Sequence, residues 1–99
     1  MPKEIRTPEL ERLLDALGVL KNNDERYQLL LDLATRREIE DMSQRFHVAE
    51  LLKAGNSYAV IQEQTGASST TVARVSTCLN HGDGGYETAI ERLENLEEI

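Results

Sequence analysis

Tryptophan is absent from this 99-residue chain, and its aromatic side chains are Tyr27, Phe46, Tyr58 and Tyr86 alone. With so little bulk, and a hydrophobic fraction of 39%, a core closed within one small chain is hard to fill, and a homodimer is expected. The single cysteine, Cys78, excludes an intrachain disulfide. No apolar run approaches the roughly 20 residues that span a bilayer. The start, Met1-Pro2-Lys3-Glu4, lacks the charged-then-apolar pattern of a secretory leader. The expectation is a soluble, cytoplasmic protein without a membrane partner.

Catalytic and metal-binding constellations are missing as well. His47 and Glu50 stand three apart, but a helical metal site needs a second such pair facing it, so they read as a solvent-facing contact. Cys78 and His81 lack a third, orienting group, and Cys78 reads as a small apolar residue near a helix end. Gly82-Asp83-Gly84-Gly85 lacks the strand before it and the lysine within it that mark a phosphate loop. It reads as a joint. No enzyme activity, metal or cofactor is expected.

Positive charge is scarce too, with 11 basic against 18 acidic residues and a net charge of −7. The acid is unevenly placed. Residues 51–82 carry Lys53 and Arg74 against Glu63, whereas residues 83–99 carry Arg92 against Asp83, Glu87, Glu91, Glu94, Glu97 and Glu98. Exposed charges more than about 10 Å apart are largely screened at ordinary salt, so the acidic end does not by itself exclude a polyanionic partner for the middle. It does imply modest non-specific affinity, because few phosphates can be neutralised.

What the sequence does have is a helix-turn-helix pattern over 57–79. Two short amphipathic segments flank Thr65-Gly66-Ala67, with Ile61 before the glycine and Val72 and Val75 after it. Such apolar residues lock two helices at a steep angle, and Gly66 supplies the left-handed conformation the turn needs. Ser68 can cap the second helix. Its exposed face then presents Ser69, Thr70, Thr71, Ala73 and Arg74, short hydrogen-bonding side chains with one guanidinium, suited to a DNA major groove. Gln62 and Lys53 would reach phosphate or flanking bases. The alternative is a plain pair of core helices in a small protein-protein interaction module, with the acidic helices as its surface.

The remaining chain reads as helices joined by short breaks. Thr7-Pro8-Glu9 starts the first, with Leu10, Leu13, Leu14 and Leu17 in one stripe. Gly18 and Lys21-Asn22-Asn23 end or loosen it, and Asn23 is the expected cap of the second, which holds Tyr27, Leu30, Leu31 and Ala34. Thr35 and Glu38 form a capping box for a third helix whose seam is Ile39, Met42, Phe46, Ala49 and Leu52. Ala54-Gly55-Asn56 stops it. A last helix over 86–98 carries Tyr86, Ile90, Leu93 and Leu96 on one side. Six helices and no strand signal give an all-α fold in a single domain over 1–99, with residues 1–34 as dimerisation helices.

The stretch from Asp32 to Leu93 resembles the Trp repressor-like proteins of the YerC/YecD family. The resemblance is carried by 33–40, 44–52, Thr65-Gly66-Ala67-Ser68, Val72-Ala73-Arg74-Val75 and above all by the run from Cys78 to Tyr86. It implies the Trp repressor fold, an intertwined homodimer, and regulation of transcription through a palindromic double-stranded DNA operator. It also implies a ligand set. Thr35, Arg45 and Arg74 fall at or near positions that hold tryptophan in true Trp repressors, while Val75 and Cys78 stand where that set has glycine and serine. Valine there fills part of the indole slot, so tryptophan is not expected as corepressor. Thr35, Arg45, Arg74 and Cys78 are the candidate pocket for a smaller ligand, with ion pairing to neighbouring helices as the other reading of the two arginines.

Overall fold

A computed structural model describes residues 6–97. The Met1-Pro2-Lys3-Glu4 start and the last residue of the expected 86–98 helix lie outside the described residues. Six helices run in order: α1 (Pro8–Val19), α2 (Asn23–Leu33), α3 (Arg36–Lys53), α4 (Tyr58–Thr65), α5 (Ser69–His81) and α6 (Gly85–Glu97). None of the described residues is in a strand, as the all-α reading requires. None of the helices is long and apolar enough to cross a membrane. The chain divides into two compact units, one ending at Ile39 and the other beginning at Glu40.

In the first unit the helix ends follow local capping chemistry. Thr7 Oγ1 accepts the Leu10 N–H at 3.1 Å, with Pro8 in the first turn, where its missing N–H costs nothing. Gly18 does not end α1, which continues to Val19. The cap of α2 is Asn22, one residue earlier than the sequence pattern placed it: its Oδ1 accepts the Glu25 N–H at 2.9 Å. Asn23 is the first helical residue, and its side chain takes a guanidinium N–H from Arg26. Either asparagine can cap, and the extended backbone at Asn22 decides between them. The capping box forms as expected, with the Glu38 N–H on Thr35 Oγ1 at 3.0 Å and the Thr35 N–H on Glu38 Oε1 at 2.8 Å. No residue of α1 or α2 is buried. Leu10, Leu13 and Leu17 are half-buried, while Leu14, Val19, Tyr27 and Leu33 are exposed.

The second unit holds the core, built from Val48, Ala49, Ile61, Ala67, Val72, Val75 and Ile90, with Phe46, Leu51, Leu52 and Tyr86 packed against it. The α3 seam differs from its expected line. Val48, outside the expected stripe, is fully buried, whereas Met42 is 41% exposed. Packing on α3 begins at Phe46 and follows the face that carries Val48, Ala49 and Leu52. Helix α3 ends where Gly55 turns left-handed at φ +94° and the Asn56 N–H and Nδ2 both donate to the Leu51 carbonyl, at 3.1 and 3.0 Å. Burying one aliphatic side chain of this size is worth about 1.5–3 kcal/mol, so each of the buried valines and isoleucines matters to the stability of the second unit.

Candidate nucleic-acid interface

The two helices of the 57–79 pattern are held by side-chain locks at both ends of the turn. Ser57 Oγ caps α4 by accepting the Val60 N–H at 3.2 Å. At the other end Gly66 takes φ +76°, and its N–H returns to the Gln62 carbonyl at 2.9 Å. A non-glycine residue rarely holds that conformation. Thr65 Oγ1 donates to the Ile61 carbonyl at 2.7 Å and accepts the Ala67 N–H at 3.1 Å. From α3, Gln44 Nε2 donates to the Thr65 carbonyl at 3.1 Å. Ser68 then caps α5, accepting the Thr71 N–H at 3.1 Å and donating to Thr71 Oγ1 at 3.2 Å. Ile61, Val72 and Val75 are buried together, as the spacing predicts, and Ala67 joins them from within the turn. A lone alanine beside a glycine carries no periodic signal, so Ala67 was not legible as core.

Around this lock the polar residues divide by what they touch. Ser69, Thr70, Ala73 and Arg74 are exposed, and Thr71 and Gln62 are half-buried. Neither Arg74 nor Arg45 makes an ion pair with a described residue. Both guanidiniums are exposed to solvent. Lys53 differs. Its Nζ lies 2.8 Å from Glu87 Oε1 on α6. The hydrogen bond and charge of Glu87, with smaller contributions from Glu94 and Glu91, hold its ammonium above the usual lysine range. His47 Nδ1 and Glu50 Oε1 are 3.9 Å apart, both exposed, a solvent-facing contact.

Arg45, Arg74 and Cys78 of the candidate small-ligand pocket belong to the second unit. Thr35 lies in the first unit, where its hydroxyl caps α3. Cys78 is exposed, so it does not pack as a small apolar residue. The end of α5 is open on that side, and Cys78 faces a solvent-open hollow of about 410 Å³ with Phe46, Tyr86 and residues 82–85. Phe46 and Tyr86 meet there with ring centroids 6.1 Å apart and planes tilted by 41°. The glycines have geometric reasons. A Cβ on Gly82 would stand 2.3 Å from the Cys78 carbonyl oxygen, and Gly84 turns left-handed at φ +90° before α6 begins. Arg45 and Arg74 do not line this hollow. Val75 sits in the core beside Val72.

Comparison with known proteins bears on the whole of this arrangement. The family model of the Trp repressor protein matches residues 8–94. An uncharacterised protein of Bacillus subtilis, YerC, is 40% identical over 94 residues, covering 95% of this chain and 90% of its own. A crystal structure of a TrpR-like protein from Eubacterium eligens superposes with a TM-score of 0.88 at 42% identity, covering 91% of this chain and 93% of that one. That of a putative Trp repressor from Staphylococcus aureus does so at 0.87 and 39% identity, covering 91% and 90%. With the six-helix order, the glycine-built joint after Cys78 and these matches in agreement, the chain belongs to the YerC/YecD-type, Trp repressor-like family of the Trp repressor superfamily.

Proposed function

We propose that this protein is a sequence-specific, DNA-binding transcriptional regulator that acts in the cytoplasm as a homodimer and is not controlled by tryptophan. The observation that carries the reading is the exposed face of α5. Ser69, Thr70, Ala73 and Arg74, which makes no ion pair among the described residues, stand outward on a helix whose opposite face is fixed by Ile61, Val72 and Val75. Short side chains allow close approach to base edges, and an exposed guanidinium suits guanine or phosphate. Ser68 and Thr71 shape the start of that helix through their mutual hydrogen bonds and lie where the reading end would enter the groove. Gln62 and Lys53 flank it as phosphate contacts.

A second copy is called for by α1 and α2, whose apolar side chains find no buried position in one chain. A two-fold dimer presents two reading helices to successive major grooves, so the operator is a palindrome with half-sites roughly one helical turn apart. Tryptophan control is left out because, by the family resemblance, Val75 stands where true Trp repressors have glycine.

The test is selection of bound fragments from a genomic library at low salt, followed by sequencing. A palindromic motif whose recovery is lost in Arg74→Ala and Thr70→Ala supports the reading. Recovery of no motif by a folded, dimeric protein overturns it in favour of a protein-protein interaction module.

A further inference from the structure

Resting on the reading of this protein as a DNA binder, we infer that α6 masks the DNA-binding surface through an ion pair, with Glu87 occupying Lys53 where a DNA phosphate would otherwise bind. Lys53 and Arg74 are the only lysine and arginine in 51–82. Lys53 is the last residue of α3, and the chain turns directly from it through Gly55 to the Ser57 cap of α4. In helix-turn-helix proteins this first helix crosses the phosphate backbone, so a lysine beside its start is placed for phosphate. Here its Nζ is already 2.8 Å from a carboxylate 34 residues away. The pair is set by how the helices are placed. Glu87, Glu91 and Glu94 follow one another at helical spacing on α6, and all three act on the Lys53 ammonium. Ile90, between them in sequence, is buried in the core and fixes the helix that carries them.

An ion pair at the surface is weak in water and yields to a competing anion. DNA can displace Glu87, but only by giving up part of the gain from the new phosphate contact. The contact therefore lowers non-specific affinity and leaves recognition to the α5 face.

Because phosphate attraction is independent of sequence, the test needs no operator. Fluorescence anisotropy on a mixed-sequence duplex of roughly 40 base pairs, titrated across salt, reads both affinity and its salt slope. One added phosphate contact steepens the slope by about 0.9 and raises affinity on the order of tenfold at about 50 mM salt. Glu87→Gln is expected to show both changes. Glu97→Gln removes the same net charge from the end of α6 and is expected to show neither. Lys53→Gln should cancel the gain when combined with Glu87→Gln. Glu87→Asp keeps a charge in the first turn of α6 but withdraws it from Nζ. It should move affinity in the same direction by less, and it serves if the glutamine variant loses helicity by circular dichroism. Equal gains from Glu87→Gln and Glu97→Gln, or a gain that survives Lys53→Gln, would overturn the mask while leaving DNA binding intact. Binding by no variant, including the wild type, overturns both.

Discussion

Gln44 Nε2 donates to the carbonyl of Thr65 at 3.1 Å, and this hydrogen bond ties the middle of α3 to the last residue of α4. Both partners are half-buried. The tie acts at the point where the chain changes direction into α5, so it sets where that helix begins. A hydrogen bond of this kind contributes about 0.5–1.5 kcal/mol. Gln44→Ala is expected to lose about that much in denaturant unfolding. It should also speed amide exchange at Gly66 and Ala67 while leaving α6 unchanged. Exchange rates in the turn equal to wild type would show that the glycine and Thr65 hold the turn without α3.

Two glycines should fail in different ways when given a methyl group. At Gly66 nothing lies within 4 Å of an added Cβ, so Gly66→Ala carries only the cost of a left-handed alanine at φ +76°. That cost is about 1–2 kcal/mol. At Gly82 the added Cβ would meet the Cys78 backbone carbonyl at 2.3 Å, and a carbonyl within a helix cannot swing away as a flexible side chain does. Gly82→Ala is therefore expected to cost more than Gly66→Ala and to fray the end of α5, where the Gly82 N–H closes on that carbonyl. Thermal unfolding of the two variants side by side gives the order. A smaller loss for Gly82→Ala would mean that the α5–α6 joint relaxes around the methyl group.

The caps at Thr7, Thr35 and Ser68 were legible because they are local chemistry. Each sits three residues before the N–H it accepts, and such a distance is readable along a chain. Ser57 caps α4 with the same spacing but was not singled out. The Ile61, Val72 and Val75 lock was legible for the same reason, since its spacing is that of a tight turn. Asn22 and Asn23 are chemically equivalent candidates one residue apart, and only the backbone distinguishes them. The α3 seam was partly misread because several stripes at spacing three and four fit an 18-residue helix. Which one is covered depends on where α4, α5 and α6 close over it. The Lys53–Glu87 pair spans 34 residues, and no local pattern marks it. The exposure of Cys78 likewise depends on how the glycine joint carries the chain away from α5.

Dimerisation is expected to be obligatory. In the first unit Leu14 is 42% and Leu33 56% exposed, and neither α1 nor α2 buries a single residue. Covering each such leucine is worth about 1.5–3 kcal/mol, a large share of the stability of a small domain. Leu14→Glu should then give unfolded or aggregated protein instead of a folded monomer. Light scattering with circular dichroism decides it. A monomeric variant with native helicity would show that the stripe needs no second chain.

Tryptophan is expected neither to bind nor to alter DNA affinity. Val75 is 2% exposed in the same cluster as Ile61 and Val72, and by the family resemblance it stands where true Trp repressors have glycine, so an indole ring is expected to meet it. A ligand controls a regulator only through differential affinity for the DNA-competent arrangement, and a filled slot offers none. Isothermal titration of the wild type and of Val75→Gly tests the steric argument directly. The glycine variant loses a buried side chain and gains a flexible helix position, at a cost of about 3 kcal/mol, so its helicity must be checked at the titration temperature. Binding gained by the folded variant alone would support both the steric block and the alignment of Val75 with the glycine position. Binding to the wild type with a dissociation constant of about 1 mM or tighter would mean that the ring enters beside Val75, and the block would be wrong. With no tryptophan response, α5 is held by its own core contacts or answers to a smaller carboxylate, and titration of short-chain carboxylates against the wild type separates these two.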